Sequence, residues 1–368
     1  MPYNNYILPA YPCREDMWDI IKKEKRPIVV YGMGNGADKL LAHLSLYGVE
    51  VADFFASDGF VRGHFFHGKR VKSFSEIKEE YSDFVIMLSF ASNREEVLDM
   101  MEKINAEYDM YVPDMPVAGE EYFDKDFYNS NYAEIKKAYD SLDDADSKNA
   151  FAAVINYRIS GKMDFLLGAF SSKREIYDLI LRKRIKSIVD AGAYNGDTLR
   201  EAIEFFPELE AAAAIEADKK NFKKLNKYAE TVEQIKINCV NAAVWNENSA
   251  GSFINSGNRN SSVSSTASFE HSELAVELVR IDSVVKDCVD YIKYDVEGAE
   301  REALIGSSEL IKEYHPVLLI SLYHRSEDLF SLVNMMKNEY PDYSFYIRRL
   351  KCLPAWEIDL IMVPATCD

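Results

Sequence analysis

The chain has 368 residues, 48% of them hydrophobic, with 61 acidic against 43 basic side chains and a formal net charge of −18. That length predicts two compact units rather than one, and the acidity opposes binding to nucleic acid or anionic lipid, both of which require a cationic surface. Five cysteines without a Cys-x-x-Cys spacing, no apolar run of membrane-spanning length and no basic-then-apolar leader in the first residues make a cytoplasmic protein the expectation.

Met17 to Lys25 reads as a short amphipathic helix. Pro27-Ile28-Val29-Val30-Tyr31 is a buried strand entering Gly32-Met33-Gly34-Asn35-Gly36-Ala37, where Gly32, Gly34 and Ala37 match the spacing of a dinucleotide-binding turn. A helix over 38–46 and a strand over 49–55 follow, with Asp53 and Asp58 as acidic candidates for a ribose. A helix over 75–81, a strand over 83–88, a helix over 93–105 and a short strand over 110–113 complete a Rossmann-like domain, residues 1–118. Its glycine turn has two readings: a nucleotide or nucleotide-sugar site, or a degenerate fold used for packing or for forming a homo-oligomer. His64 and His67 are three apart, but with no Cys or third His near them a solvated loop is expected rather than a metal site.

Residues 119–185 carry helical periodicity and form a linker or cap. Asp143-Asp144 marks a stop and restart, and Gly161 ends the next helix. Tyr157, Arg158 and Tyr177 are read as packing and surface residues, with ligand contact as the alternative.

Residues 186–368 form the third unit. Ser187-Ile188-Val189 is a strand entering Asp190-Ala191-Gly192-Ala193-Tyr194-Asn195-Gly196-Asp197-Thr198 and then a helix. Small residues there let backbone N–H groups approach a ligand, and the helix start offers free donors and a positive dipole end. Asp190 repels a phosphate and suits an ammonium or sulfonium group; S-adenosylmethionine (SAM) carries both. A second strand, 211–215, delivers Glu216-Ala217, whose carboxylate can grip two ribose hydroxyls. At the third strand end, Asn241-Ala242 leave space for a flat adenine, with Asn241 able to hydrogen-bond it. The Ser-rich stretch 260–266 reads as a mobile loop, or as a lid with Ser262 as its candidate residue. The strand 291–294 delivers Asp295; Val296-Glu297-Gly298-Ala299-Glu300 then turns into a helix, where the dipole alone would favour Glu300. The strand 316–323 ends at His324. Two closing strands, 343–348 and 358–363, are joined by a loop containing Trp356.

The segments Asp190-Ala-Gly-Ala-x-x-Gly-Asp-Thr198, Ile215-Glu-Ala-Asp218 with Asn221 and Leu225, and Ile292-Lys-Tyr-Asp-Val-Glu-Gly-Ala-Glu300 resemble the FkbM-type SAM-dependent methyltransferases over the C-terminal half of the chain. The resemblance implies an α/β architecture of two Rossmann-like doubly wound sheets joined by a helical segment, the second of class I methyltransferase type with a closing antiparallel hairpin. It implies SAM held by Asp190, Gly192, Ala193, Tyr194, Gly196, Asp197, Thr198, Glu216, Ala217, Asn241 and Ala242, and O-methylation of a hydroxyl on a sugar, a polysaccharide precursor or a related small molecule. The N-terminal unit resembles a nucleotide-binding-like domain of sugar-modifying acyltransferases, also fused ahead of some FkbM-type proteins. For the acceptor proton, a neutral His324 or the Asp295 carboxylate could act as base; alternatively Asp295 and Glu297 hold a divalent cation. The rival classes are an NAD(P)-dependent oxidoreductase and a non-catalytic nucleotide-binding scaffold. Against the oxidoreductase stand Asp190 before its glycine turn and the acidic block 295–300, which has no ready role in hydride transfer.

Overall fold

The computed structural model describes residues 5–57, 59, 61, 63–254, 262–264 and 273–365. Asp58, Cys367, most of the Ser-rich stretch 260–266 and the Ser262 side chain lie outside the described residues.

The first sheet is all parallel, in the order Lys72–Ser73, Asp53–Ala56, Ile28–Tyr31, Val85–Leu88 and Asp109–Tyr111. Its three central strands are buried at every position, as continuous apolar strands covered on both faces must be. The second strand begins at Asp53 rather than at 49, which corrects the ribose assignment. Asp53 pairs with Val29 at the amino end of its strand, away from the carboxyl ends where ligands bind. Its carboxylate accepts from Lys72 Nζ at 2.7 Å and Tyr81 Oη at 2.5 Å.

The second sheet has seven strands, in the order Lys236–Val240, Ala211–Ile215, Ser187–Ala191, Tyr291–Tyr294, Val317–Ser321, Ile358–Pro364 and Tyr343–Arg349. All run parallel except Ile358–Pro364, which is antiparallel to both neighbours and forms the expected closing hairpin. A four-stranded side sheet was not foreseen. In it the backbone of Ser262–Ser264, read as loop, pairs with 252–254, and Ser249–Ile254 pairs with Glu273–Val279.

Between the sheets run Lys125–Asp140, Ala145–Ser160, Asp164–Leu167 and Lys173–Ile180. Asp124 and Asp144 cap the first two by accepting from Phe127 N and Ser147 N, and Gly161, at φ 65°, ends the second. Ala145–Ser160 is buried on nearly every side, so it is an internal helix rather than a surface one. It joins one continuous apolar core that includes Val29 and Phe55 of the first sheet, Phe151 of this helix, and Val189 and Ile292 of the second sheet. Tyr157 is fully buried. Arg158 pairs with Asp114 at 2.7 Å, and Tyr177 stacks on Phe205 with ring centroids 3.9 Å apart, so all three side chains pack. No described helix is long and apolar enough to cross a membrane.

Arg349 closes the end of the second sheet. It is 1% exposed and donates to the carbonyls of Leu166, Ala169, Leu350 and Cys352, with no carboxylate among these partners. Arg349→Met leaves those buried acceptors without donors and is expected to lower the unfolding free energy by about 3 kcal/mol or more. Urea denaturation checks this; a loss below about 1 kcal/mol would mean that these carbonyls find other donors.

Candidate active site

The strand Ser187–Ala191 breaks at Gly192, whose φ of +88° suits glycine and whose added Cβ would stand 1.9 Å from the Asp295 carbonyl oxygen. Glycine therefore lets this turn lie directly against the end of the strand Tyr291–Tyr294. Gly192 and Ala193 both donate their N–H to the Ile215 carbonyl at 3.0 Å, fastening the turn to its other neighbour. Tyr194 (φ 46°) and Gly196 (φ 86°) then reverse the chain into the helix Asp197–Phe205, whose cap residue, Gly196, supplies no side chain to the first amides. Backbone donors and a positive helix end thus converge at this turn.

Beneath it, Asp190 is 1% exposed, and neither carboxylate oxygen has a hydrogen-bond partner among the described residues. Burial pushes its pKa up to about 6, against the pull of Lys293. Lys293 is the cross-strand partner of Asp190. Its ammonium donates to Thr198 Oγ1 at 3.0 Å and to Asp295 Oδ2 at 3.3 Å. Burial alone would strip its proton, but the carboxylates of Asp295, Asp190 and Asp197 outweigh that and raise its pKa.

Glu216 stands at the carboxyl end of the next strand. One oxygen accepts from Asp218 N at 2.7 Å and the other from Tyr194 N at 2.8 Å, so the turn and the carboxylate fix each other. Burial raises its pKa to about 7 despite those two bonds. Asn241, expected to meet an adenine, spends its Nδ2 donors on the carbonyls of Glu216 at 2.8 Å and Ala217 at 3.2 Å. Its amide therefore shapes the strand end, leaving only its oxygen for a ligand; Ala242 beside it is buried.

At the neighbouring strand ends, Asp295, Glu297 and Glu300 surround His324. The imidazole Nε2 lies 3.5 Å from Asp295 Oδ1 and 3.6 Å from Glu297 Oε2, and Nδ1 lies 2.8 Å from Glu300 Oε1, a close charge contact rather than an aligned hydrogen bond. Burial disfavours the charged ring, yet the three carboxylates prevail and lift the His324 pKa to about 10. That shift favours an imidazolium at neutral pH. The ring is also fully buried, whereas the Asp295 and Glu297 side chains are 28% and 34% exposed. A neutral, ligand-facing His324 base, as expected from its strand-end position, is therefore not the state found. The pKa of Asp295 is lowered: burial raises it, but Lys293 and His324 pull harder, and Tyr323 Oη donates to it at 3.1 Å. Burial drives Glu297 up to about 8. Glu300 accepts from Val296 N at 2.9 Å and Gly298 N at 3.4 Å and stays 1% exposed, a turn-holding and His-pairing role.

A divalent cation on Asp295 and Glu297 fits these residues poorly, because an imidazolium and an ammonium already supply the positive charge they face. Among the described residues no three His, Cys, Asp or Glu side chains form a metal-ligand group, and His67 pairs with Asp38 at 2.7 Å. Sequence reasoning missed Lys293 and Tyr323. Lys293 lay two residues before Asp295 on a strand, hence on the same face, and that period was the signal available. Tyr323 had no comparable signal.

The family model for the methyltransferase FkbM domain matches residues 190–345. Among solved structures, this chain is similar to a methyltransferase FkbM from Methylobacillus flagellatus KT, with 18% identity, 97% of this chain and 94% of that one covered, and a TM-score of 0.66. A rRNA methylase from Streptococcus thermophilus (11% identity, 52% of this chain and 95% of that one, TM-score 0.33) and a Streptococcus mutans putative methyltransferase in complex with SAH (10% identity, 52% and 98%, TM-score 0.35) are more distant. No curated protein matches. The second sheet is thus that of a class I methyltransferase fold.

The raised carboxylates set a stability trend. Asp190, Glu216, Glu297, Asp328 and Asp359 hold protons more tightly folded than unfolded. Their stabilisation is therefore lost as pH rises from about 4 through about 8. His324, also raised, contributes fully below its ordinary value and loses that contribution progressively as pH rises from there to about 10. Carboxylates that are lowered, such as Glu24 and Glu76, act only below the ordinary carboxylate range. The melting temperature of the ligand-free protein should fall between about pH 5.5 and 8, and Glu216→Gln should flatten the slope. A melting temperature that climbs across that window contradicts the assignment.

Proposed function

With residues 190–345 a methyltransferase FkbM domain, we propose that the protein is a cytoplasmic enzyme transferring a methyl group from SAM to a hydroxyl of a sugar, a polysaccharide precursor or a related small molecule. The observation that carries this reading is Glu216: a carboxylate held by two backbone N–H groups beside the glycine turn, with lone pairs left on both oxygens to meet a vicinal diol. The cradle at Gly192, which a Cβ would fill, and the unpartnered Asp190 beneath it fit the amino-acid end of such a cofactor.

When bound, SAM supplies a methyl group already activated on a sulfonium, so the protein's task is chiefly positioning. Glu216 grips the ribose hydroxyls, the start of the helix Asp197–Phe205 faces the carboxylate, and Asp190 offsets the cofactor's positive charge. Ala217 and Ala242 leave room for the adenine. Glu297 is the base for the acceptor hydroxyl: its side chain is partly open, and its pKa near 8 lies close to the working pH. Asp295 orients the acceptor by accepting a hydrogen bond. His324 stays behind them as a fixed cation that keeps the carboxylates apart and aimed, which makes it a positioning residue.

Glu216→Ala is expected to weaken SAM binding by roughly ten- to a hundredfold, the worth of a hydrogen-bonding charged group. Because the ionised form accepts the hydroxyls, wild-type affinity should rise from about pH 6 to 8, and the variant should lose that dependence. Calorimetric titration at several pH values checks both, and an unchanged affinity removes Glu216 from the cofactor site.

Glu297→Gln should lower kcat by roughly a hundredfold or more while leaving SAM affinity within about twofold. His324→Gln should instead displace the acidic limb of the pH–rate profile. Rates are read on a panel of sugar and nucleotide-sugar hydroxyls; a Glu297→Gln enzyme as fast as wild type on a confirmed acceptor excludes it as base.

A further inference from the structure

The first glycine turn takes no part in the site above. It opens on a cleft of about 570 Å³ shared by both sheets, within the range of about 300–1,000 Å³ of small-molecule sites. One wall follows the strand Ile28–Tyr31 (Met33, Asn35, Gly36) and another follows Val85–Leu88 (Ser89, Phe90). Those strands are adjacent, and the chain goes to opposite sides of the sheet after them. The cleft therefore lies at the topological switch point, where open α/β sheets bind ligands. The far wall is the loop of the closing hairpin, with Pro354, Trp356 and Glu357. This loop is tied to the first sheet by reciprocal backbone bonds between Ser92 and Leu353 at 2.8 and 3.0 Å.

Its chemistry is that of an anion site with flat apolar walls. Gly36 packs so closely that an added Cβ would stand 2.0 Å from the Ser89 carbonyl oxygen, bringing the start of the helix Asn35–Ser45 against the cleft. Gly34, its cap, offers no side chain to the first amides. Lys39 reaches the same space. It is half-buried, its ammonium donates to the Pro116 carbonyl at 2.8 Å, and burial lowers its pKa with no carboxylate opposing the shift. In a chain of net charge −18, a partly desolvated lysine without an acidic partner among the described residues is a cation held for something else. Arg94 stands at the rim, and Met33, Phe90 and Met115 supply apolar surface. Trp356 has an indole N–H with no acceptor among the described residues.

The cleft also borders on the acidic cluster. The Trp356 ring lies 6.3 Å from that of Tyr323 at 25°, and Tyr323 Oη donates to Asp295. We propose that this cleft binds the methyl acceptor as a nucleoside-diphosphate-linked sugar. The diphosphate meets the helix start and Lys39, the base lies among the apolar walls, and the sugar passes Trp356 towards Asp295 and Glu297. The position of the sugar rests on the methyl-transfer reading, whereas binding of the diphosphate does not.

The test titrates the full-length protein, with and without saturating S-adenosylhomocysteine, with UDP, GDP, ADP and inorganic pyrophosphate. At least one nucleoside diphosphate should bind in both cases and more tightly than pyrophosphate. Lys39→Ala should weaken it roughly ten- to a hundredfold. Arg94→Glu, at an exposed rim position that does not threaten folding, should weaken it too, and neither variant should change affinity for S-adenosylhomocysteine. No binding by any of the three nucleotides, displacement by S-adenosylhomocysteine, or affinity indifferent to both substitutions overturns the proposal. Failure of S-adenosylhomocysteine itself to bind would sink the methyl-transfer reading but leave this site standing if the nucleotide still binds.

Discussion

Buried negative charge is the constraint around which the second half of the molecule is built. Asp190, Glu216, Asp295, Glu297, Glu300 and Asp359 gather towards the carboxyl ends of the parallel strands of one sheet, and such a gathering is tolerable only where cations stand inside it. Lys293 sits opposite Asp190 and beside Asp295. His324 sits among Asp295, Glu297 and Glu300. Lys293 lies on one strand and His324 follows its neighbour, so the strand order itself brings both cations into the cluster. Asp190 and Glu216, neither of them ion-paired by direct contact with a cation among the described residues, suit a ligand carrying positive charge and hydroxyl donors. The backbone follows the same centre: Tyr194, Glu297 and Glu357, three of the non-glycine residues with positive φ, border the second glycine turn, the acidic block and the cleft.

Much of this was legible in the amino-acid sequence where local chemistry determines the outcome. Continuous apolar runs ending in glycine turns located the strands and their carboxyl ends, and Glu216 followed from its position just after such a run. The closing hairpin was legible because two apolar strands came without a helix between them. What was not legible depends on pairing across the sheet. No spacing along the chain tells that Lys293 lies opposite Asp190, or that Glu300 closes on His324, and without those contacts His324 looks like a neutral base. The role of the Asn241 amide was hidden for a related reason: its type announces hydrogen bonding, but its Nδ2 partners are two carbonyls on the adjacent strand end. Asp53 misled through a shift of four residues in a strand boundary, enough to move it from the ligand-binding end to the opposite one.

The relation between the two sheets follows from the helical segment and the hairpin loop. Arg158 reaches Asp114 and the Ser326 carbonyl, and Ala118 N donates to the His324 carbonyl at 2.8 Å, so the end of the first unit is fastened to the residue at the heart of the acidic cluster. With a common apolar core behind these bonds, the placement of the cleft relative to the acidic cluster is fixed by the fold. An acceptor held at the first sheet can thereby be aimed at groups on the second, an arrangement that neither sheet alone provides.

The charge balance is tested most directly at His324. Its ring nitrogen shifts, followed by NMR of histidine-labelled protein against a His324→Gln control, report its protonation without any ligand or assay. Compensation of the three surrounding carboxylates requires an imidazolium that persists beyond about pH 9, in keeping with a pKa raised to about 10. A neutral ring at pH 7.5 would contradict it, and would return His324 to the role of a base rather than a fixed counter-charge.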